Sequence, residues 1–399
     1  MNKNVLILSE AVGVGHTKAA EALMQGIELL DPSIEVQVLE LGRELHPVSA
    51  ALLYRFYLSM VTRYPSVWRK VYDYKQNKPL SLWKQSFIYR MLHRTMKDML
   101  YPAPPDLIIC THPFSSSSVA CLKRAGYTLR LYTMITDFHA HGAWVQPEVD
   151  QYLVSGEEVY GQLIEMGVPE EKISITGIPL TMNFRIKHNK QEVRKLLGIE
   201  NMPTMLVMGG GLGLGGMERL ASILAKWRDS LQIVICTGHN ENLRHMLEAE
   251  LHHPNVHILG FVDSISQWMD ASDWLITKAG GLTCFEALAK RLPLFIYRPL
   301  PGHEENNCEF LIRHKLAIRM DTEGEVDGWV DKLLRYPQAT SFLEQNMKQF
   351  HQMLDPLATA RAALTSLKVA DRKRASSGYP PVFARYSGVS SADLCKQSE

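Results

Sequence analysis

The chain has 399 residues, of which 46% are hydrophobic, and its 43 Lys and Arg residues balance 42 Asp and Glu residues to a net charge of +1. This length predicts two or three domains, the apolar content excludes global disorder, and the balanced charge gives no reason to expect a nucleic-acid partner. The six cysteines are scattered without a C-x-x-C pair, which argues against a disulfide scaffold or a structural zinc site and for a reducing cytoplasm. The first apolar run is too short for a signal peptide, and no run approaches the ~20 residues of a membrane span, so any membrane contact is expected to be peripheral.

Short apolar, β-branched runs alternate with helix-length segments in the first half of the chain. The runs predict strands at 5–8, 34–41, 107–110, 131–135, 152–154 and 173–175, with helices such as 16–30, 47–62 and 157–166 between them. Continuous apolar strands that alternate with helices are typical of a parallel sheet covered on both faces.

The same pattern restarts in the second half. Strands are predicted at 205–208, 233–236, 256–259, 274–276, 294–297 and 316–318, and helices at about 216–228, 240–251, 283–290 and 303–314. The fold class is therefore α/β, with two doubly wound domains at 1–183 and 184–368. The last helices, at about 338–368, are expected in the second domain or back against the first. Residues 371–399 are rich in Ser, Arg, Gly and Pro, which predicts a disordered tail at 369–399.

One segment of the first half differs in charge from the rest. Residues 50–100 contain ten Lys and Arg, ten aromatic residues and only two acids. This mixture suits an anionic membrane surface, but it also suits amphipathic helices with a buried aromatic face, or an RNA surface. The side chains that would carry a membrane or acceptor contact are Tyr57, Arg63, Trp68, Arg69, Lys70, Trp83 and Lys84.

A glycine-containing turn follows the first predicted strand. Gly13 and Gly15 allow a ligand to approach the backbone, and the helix that begins there offers free N–H groups. The positive end of that helix disfavours a charged His16, so a neutral imidazole could act as a general base near pH 7. The alternative is a tight turn with a surface histidine, and the spacing is not the G-x-G-x-x-G of a dinucleotide site.

A polar segment, 136–144, follows the strand predicted at 131–135. Asp137 lies where doubly wound folds place their sites, and it could deprotonate or position a hydroxyl. Its alternative role is a turn or helix cap. A metal site at His139 and His141 is another alternative, but a metal site usually needs a further ligand.

Three further polar motifs follow strands of the second half. Six glycines within 209–216 would expose many backbone N–H groups to a bound phosphate. The loop is not a P-loop, because the sequence Gly-Lys-Ser/Thr is missing. The alternative is a flexible loop without a ligand. In 278–286, Thr283 and Glu286 form either a capping box or a ribose site. The motif at 298–307 predicts either a polar helix start or a contact with a sugar. No Asp-x-Asp occurs.

In this order and spacing, the motifs at 13–16, 136–144, 176–179, 278–286 and 299–307 resemble those of the diacylglycerol glucosyltransferase and monogalactosyldiacylglycerol synthase family. More distantly, the chain is similar to the peptidoglycan N-acetylglucosaminyltransferase. The resemblance implies a GT-B fold, two Rossmann-like domains facing across a cleft. It also implies inverting, metal-independent transfer of a hexose, glucose favoured over galactose, from a UDP-sugar to diacylglycerol or a glycosyldiacylglycerol. No cofactor is implied, and the enzyme would be cytoplasmic and peripheral to the inner face of the membrane.

The resemblance also assigns roles to residues. Asp137 or His16 would be the base, with Asp137 preferred, and Glu286 would hold the ribose. His303 stands where relatives usually have Gln, which leaves the sugar open. The donor site implied in this way comprises Gly15, Gly209, Gly210, Gly211, Lys278, Gly280, Gly281, Thr283, Glu286, His303, Glu304 and Asn307. Alternatives are a GT-B enzyme with a polyprenyl-linked or soluble acceptor, a non-catalytic nucleotide-sugar sensor and a UDP-sugar epimerase.

Overall fold

The computed structural model describes residues 3–10, 13–48, 59, 60, 64, 66, 70, 95–100, 103–352 and 355–377. Twelve strands in these residues form two six-stranded parallel sheets, ordered β2-β1-β3-β4-β5-β6 and β12-β11-β10-β7-β8-β9. The strands β1 to β12 are Asn4–Ser9, Glu35–Glu40, Leu107–Cys110, Leu131–Met134, Gln151–Val154, Ile173–Ile175, Thr204–Met208, Gln232–Cys236, Val256–Leu259, Trp274–Thr277, Leu294–Tyr297 and Ala317–Met320.

Helices connect the strands and cover both faces of each sheet. In the described residues the α-helices of the first half, α1 to α5, are Val14–Leu30, Leu41–Leu45, Met96–Leu100, Pro113–Arg124 and Glu157–Glu165. The following helices, α6 to α14, are Lys190–Leu197, Met217–Leu224, Glu241–Glu250, Ile265–Ala271, Gly281–Lys290, His303–Arg313, Glu323–Arg335, Ser341–Gln352 and Ala358–Ser377.

The central strands are apolar because helices cover them on both sides. Every residue of β3, β10 and β11 is buried, and such strands lack the alternation that a half-exposed strand shows. The predicted strands are confirmed to within two residues at each end, as is the prediction of two doubly wound α/β units.

The sheet order brings the loops that carry the site together. In the first sheet the strand order reverses beside β1, which lies between β2 and β3, and in the second it reverses between β7 and β10. A crevice opens at such a switch point, at the carboxyl ends of the strands. The glycine turn after β1 and the glycine loop after β7 lie at these two crevices.

The last helix packs on the first sheet's side of the molecule. A Cβ added to Gly26 of α1 would lie 3.2 Å from Cβ of Ala360 in α14. Lys3 donates a hydrogen bond to the carbonyl oxygen of Leu367, 3.0 Å, and Arg130 donates to that of Ser366, 2.8 Å. Of the two placements expected for the final helices, α14 takes the one against the first half.

Several predicted boundaries need correction. Six helices, α2, α3, α4, α6, α9 and α12, lie outside the predicted helix ranges. The helix α14 extends to Ser377, so the expected disorder is wrong for the helical residues up to that point. The four consecutive serines of α4 do not predict a helix, because serine side chains compete with the backbone for hydrogen bonds. Tertiary packing overrides this propensity, because Ser115, Ser116, Ser117 and Ser118 are all fully buried. Positions 378–399 and most of the helix expected at 47–62 lie outside the described residues.

Of the helices in the described ranges, none is long and apolar enough to cross a bilayer.

Candidate active site

A cavity of 460 Å³ lies between the carboxyl edges of the two sheets. Its walls come from α1 and the loops after β1, β4 and β6 on one side, and from the loops after β7 to β11 on the other. Cavities of this size hold ligands as large as a nucleotide.

His16 lies in the first turn of α1, at the floor of this cavity. The helix begins after Gly13, whose φ of 93° favours glycine. The Nδ1 atom of His16 lies 2.8 Å from Oγ1 of Thr136. Burial lowers the pKa of His16, although the nearby Asp137 opposes the shift. The imidazole is therefore neutral at pH 7.

Asp137 faces the cavity from the loop after β4, and only 7% of it is exposed. Its Oδ1 accepts a hydrogen bond of 2.8 Å from the Asn307 side chain, whereas no hydrogen bond reaches Oδ2 from the described residues. Burial alone would raise the pKa of Asp137, but His303, His16 and the Asn307 hydrogen bond together hold it below its usual value. The carboxylate is ionised at pH 7 and has one oxygen available.

The other two histidines of this loop lie in different surroundings. His139 is 3.4 Å from the Asn306 side chain, and the ring of His141 packs 5.9 Å from that of Trp144. Burial lowers the pKa of His141 to about 4. In the part of the chain that the structure describes, no group of three or more His, Cys, Asp or Glu side chains is placed to hold a metal ion.

Lys278 and Glu304 form an ion pair at the second wall. Lys278 follows β10 and Glu304 lies in the first turn of α11, where it is 1% exposed. The second carboxylate oxygen of Glu304 accepts from the backbone N–H of Leu300 at 3.0 Å. Both oxygens of Glu304 therefore have protein partners, and Lys278 presents a positive charge beside the glycine loop.

The glycines of 209–211 have different neighbours. A Cβ on Gly210 would lie 2.8 Å from Cε of Lys278, and one on Gly211 would lie 2.1 Å from Cγ2 of Val14 across the cleft. Both glycines line the cavity. Gly209 instead packs against Met217, 2.1 Å from its added Cβ, and it is not one of the cavity-lining residues. This placement disagrees with a donor contact through Gly209.

Glu286 lines the cavity from the second turn of α10. Because that helix begins at Gly281 after the N-cap residue Gly280, the capping-box alternative for Thr283 and Glu286 is wrong. Burial raises the pKa of Glu286 to about 8, and the charge of Lys18 across the cleft partly offsets this. Thr283 and Gly280 also line the cavity, as expected.

The two halves meet closely at Gly281. A Cβ there would lie 2.2 Å from the carbonyl oxygen of Thr136 and 2.9 Å from Oδ1 of Asp137. Gly281 thus serves the approach of the two halves in addition to lining the cavity. The Cβ position of Gly15 is likewise 3.6 Å from Cβ of Leu282.

Five lining residues with charged or aromatic side chains escaped the sequence analysis: Lys18, Glu21, Phe184, Phe261 and Asp263. Lys18 shares one face of α1 with Val14, Glu21 and Gln25, and this helical spacing is a usable signal. The ammonium of Lys18 lies 5.6 Å from the ring of Phe261, which follows β9 at the same sheet edge as the other site loops.

The remaining predicted site residues are placed as follows. His303 is the first residue of α11 and lines the cavity. Asn307 is fully buried and is not one of the lining residues, which disagrees with the expectation that it reads the sugar. Lys70 is exposed. The other membrane candidates lie outside the described residues: Tyr57, Arg63, Trp68, Arg69, Trp83 and Lys84.

Known structures share this arrangement of two sheets around a cleft. Anabaena HepE in complex with UDP and glucose aligns over 91% of this chain and 99% of its own, with a TM-score of 0.56 at 15% identity. Acinetobacter baumannii MurG aligns over 93% and 99%, with a TM-score of 0.54 at 15% identity. The fold is that of the GT-B glycosyltransferases.

Sequence relatives identify the family to which the chain belongs. The monogalactosyldiacylglycerol (MGDG) synthase family model matches residues 16–180, and that of the glycosyltransferase family 28 C-terminal domain matches 204–361. A processive diacylglycerol beta-glucosyltransferase of Bacillus cereus (strain AH187) is 30% identical over 362 residues, covering 88% of this chain and 90% of the relative. The chain belongs to the diacylglycerol glucosyltransferase and monogalactosyldiacylglycerol synthase family, and it is a hexosyltransferase.

Proposed function

We propose that this enzyme transfers a hexose, glucose in preference to galactose, from a UDP-sugar to diacylglycerol or a glycosyldiacylglycerol at a membrane surface. Transfer inverts the anomeric carbon and needs no metal ion. The name of the Bacillus cereus relative supports the lipid acceptor, and the bound UDP and glucose in the HepE structure support the donor class.

The observation that carries this proposal is the ionised Asp137, which faces the cavity with Oδ2 available. In the reaction Oδ2 takes the proton of the acceptor hydroxyl as the hydroxyl oxygen bonds to the anomeric carbon. The bond from that carbon to the phosphate oxygen breaks, and its electron pair leaves with UDP. A single displacement of this kind inverts the anomeric centre.

His16 assists this step as a neutral group. Its Nδ1 is engaged with Thr136, whose neighbour in the chain is Asp137. The imidazole therefore fixes the loop that carries the base. We assign proton transfer to Asp137 and positioning of the loop to His16.

The second wall suits the leaving diphosphate. Gly210 and Gly211 allow phosphate oxygens to approach the backbone, and Lys278 places a cation beside them. The N-termini of α10 and α11 also point their positive ends at this wall. These groups stabilise the charge that develops on the diphosphate, which is the role that a metal ion has in other enzymes. Glu286 is placed to accept the ribose hydroxyls.

The acceptor is expected to arrive from a membrane. The segment 50–100 combines ten basic with ten aromatic residues in an otherwise neutral chain, a composition suited to anionic head groups. Candidate contacts are Tyr57, Arg63, Trp68, Arg69, Lys70, Trp83 and Lys84.

The test measures UDP release from UDP-glucose and from UDP-galactose, with and without vesicles containing diacylglycerol, in the presence of a chelator. We expect release that requires the lipid, survives the chelator and is faster with UDP-glucose. Asp137→Asn should abolish release but retain UDP binding. The matched control is Asp229→Asn, since the Asp229 side chain is 87% exposed on the surface.

Three outcomes would contradict parts of the proposal. Release that stops with the chelator would contradict metal independence. Turnover only with a polyprenyl phosphate or a soluble acceptor would replace the lipid substrate. Conversion of the sugar without any acceptor would indicate an epimerase.

A further inference from the structure

The Asn307 amide connects the second half of the molecule to the catalytic loop of the first. It lies in α11, fully buried. Its Nδ2 donates to Oδ1 of Asp137 at 2.8 Å and to the carbonyl oxygen of Ala279 at 3.0 Å. Its Oδ1 accepts from the backbone N–H of Phe138 at 2.9 Å.

These partners determine how the amide is oriented. The N–H of Phe138 can only donate, so the carbonyl oxygen of the amide must face it. The NH₂ group is then directed at Asp137 and Ala279, both of which offer acceptors. Both N–H groups of the amide are therefore used within the protein, and its oxygen already accepts one hydrogen bond.

The residue after Asp137 also docks on α11. The ring of Phe138 stacks on that of Phe310 at 4.8 Å with an angle of 12°, and it lies 6.0 Å from the ring of Phe285. Phe310 is one turn of α11 beyond Asn307. The loop segment 137–138 is therefore held by two hydrogen bonds and two aromatic contacts from the opposite half.

We infer that Asn307 is a positioning residue, which orients the Asp137 carboxylate and keeps it ionised when the two halves of the enzyme are together. The inference rests on the proposed role of Asp137 as the base. A hydrogen bond to a carboxylate favours its charged form and also selects which oxygen remains free. Here Oδ1 is held and Oδ2 is presented to the acceptor. The ionisation of Asp137 in the first half therefore depends on its contact with Asn307 in the second half.

Other titratable groups near the carboxylate also affect the pH dependence of the reaction. His16 from α1, His141 from the same loop and His303 from α11 all interact with Asp137. None of them is altered when Asn307 is replaced, so a shift in the pH profile of the variant reports the lost amide donor.

The experiment compares Asn307→Leu, which keeps most of the volume, with Asn307→Ala. Initial rates from UDP-glucose to diacylglycerol vesicles are measured from pH 3 to 9, UDP affinity by calorimetry and folding by circular dichroism. We expect kcat to fall at least about tenfold and the acidic limb of kcat to move up by about one pH unit, as expected when a carboxylate loses a donor. UDP affinity should stay within about twofold, because none of the three lost hydrogen bonds is made to a proposed nucleotide-binding side chain.

The control is Asn346→Asp. The Asn346 amide also donates to a backbone carbonyl, that of Lys315, but it lies on the exposed surface of α13. Its pH profile should match that of the unmodified enzyme.

Two results would overturn the inference. The first is an unmoved acidic limb with a raised KM for the UDP-sugar, which would make Asn307 a sugar contact. The second is a loss of activity that follows the loss of folded protein in both variants, with the pH profile unchanged. Asp137→Asn is assayed in parallel: if it keeps its turnover, both the proposed base and its positioning residue are refuted, whereas an inactive Asp137→Asn with an unmoved Asn307 profile refutes the positioning role alone.

Discussion

Replacing Gly281 with Ala tests how closely the two halves must meet for catalysis. The added Cβ would lie 2.2 Å from the carbonyl oxygen of Thr136, whereas ordinary contacts begin at 3.4 Å, so the halves must separate locally by about 1.2 Å. Gly281 has no positive φ, so the backbone itself tolerates alanine. A misplacement of about 1 Å at a reacting centre costs on the order of a hundredfold in rate, or about 2.7 kcal/mol.

The assay is UDP release at saturating UDP-glucose, together with UDP affinity and thermal unfolding. We expect kcat to fall about a hundredfold. UDP affinity should fall much less, because the proposed donor groups Lys278 and Glu286 lie in the same half as Gly281 and move with it. The unfolding temperature should fall as well, because Phe138 of the first half and Phe285 of the second belong to one buried core.

The control is Gly328→Ala. Gly328 lies in α12, and a Cβ there meets no other atom within 4 Å. This change should leave kcat unaltered and stabilise the protein by up to about 1 kcal/mol, the helix preference of alanine over glycine. The reasoning fails if Gly281→Ala keeps its kcat, because the close approach would then not be needed for the chemistry.

Three further predictions concern stability and membrane binding. Glu286→Gln should stabilise the protein increasingly between pH 4.5 and about 8, by up to about 1.4 kcal/mol per pH unit, in denaturant titrations. The sign follows because the folded carboxyl has the raised pKa, so the unmodified protein loses stability as pH rises through this range, while Gln does not titrate. Lys290→Met should cost up to about 3–5 kcal/mol in urea unfolding, since Asp270 is 0% and Lys290 1% exposed and the buried carboxylate would keep only its contact with His188 at 2.8 Å. Combining Arg69→Glu with Lys70→Glu should weaken binding to anionic vesicles more than tenfold in a salt-dependent manner, at about 1 kcal/mol per basic residue, in sedimentation assays.

Each of these has a clear contrary result. A stability difference that is the same at pH 5 and pH 9 would show that Glu286 does not titrate in this range. An unchanged urea midpoint for the Lys290 variant would mean that Lys290 is not needed to stabilise the Asp270 carboxylate, which also contacts His188. Unchanged vesicle binding would show that residues 69 and 70 do not carry the membrane contact.

Much of the fold followed from local patterns. The uninterrupted apolar runs of β3 and β10 predicted buried parallel strands, because a strand covered on both faces has no polar side. The position of glycines and polar residues after these runs then predicted site residues, since parallel strands all end at one sheet edge. His16, Asp137 and Glu286 were predicted in this way, and all three line the cavity.

Other features had no local signal. The helix Pro113–Arg124 carries four consecutive serines, and it forms because all four are buried in the tertiary structure. The start of α10 at Gly281, two residues before Thr283, removed a capping box that the sequence spacing permitted.

The sequence by itself determined two parallel α/β units and the loops that face each other between them, because helical and strand periods and turn chemistry are encoded within short segments. Only the tertiary structure determined which residues contact each other across the cleft. Asn307 reaches Asp137 from 170 positions away, and Gly281 accommodates the carbonyl oxygen of Thr136. Such contacts depend on how segments far apart in the chain pack together, and no short segment determines that packing.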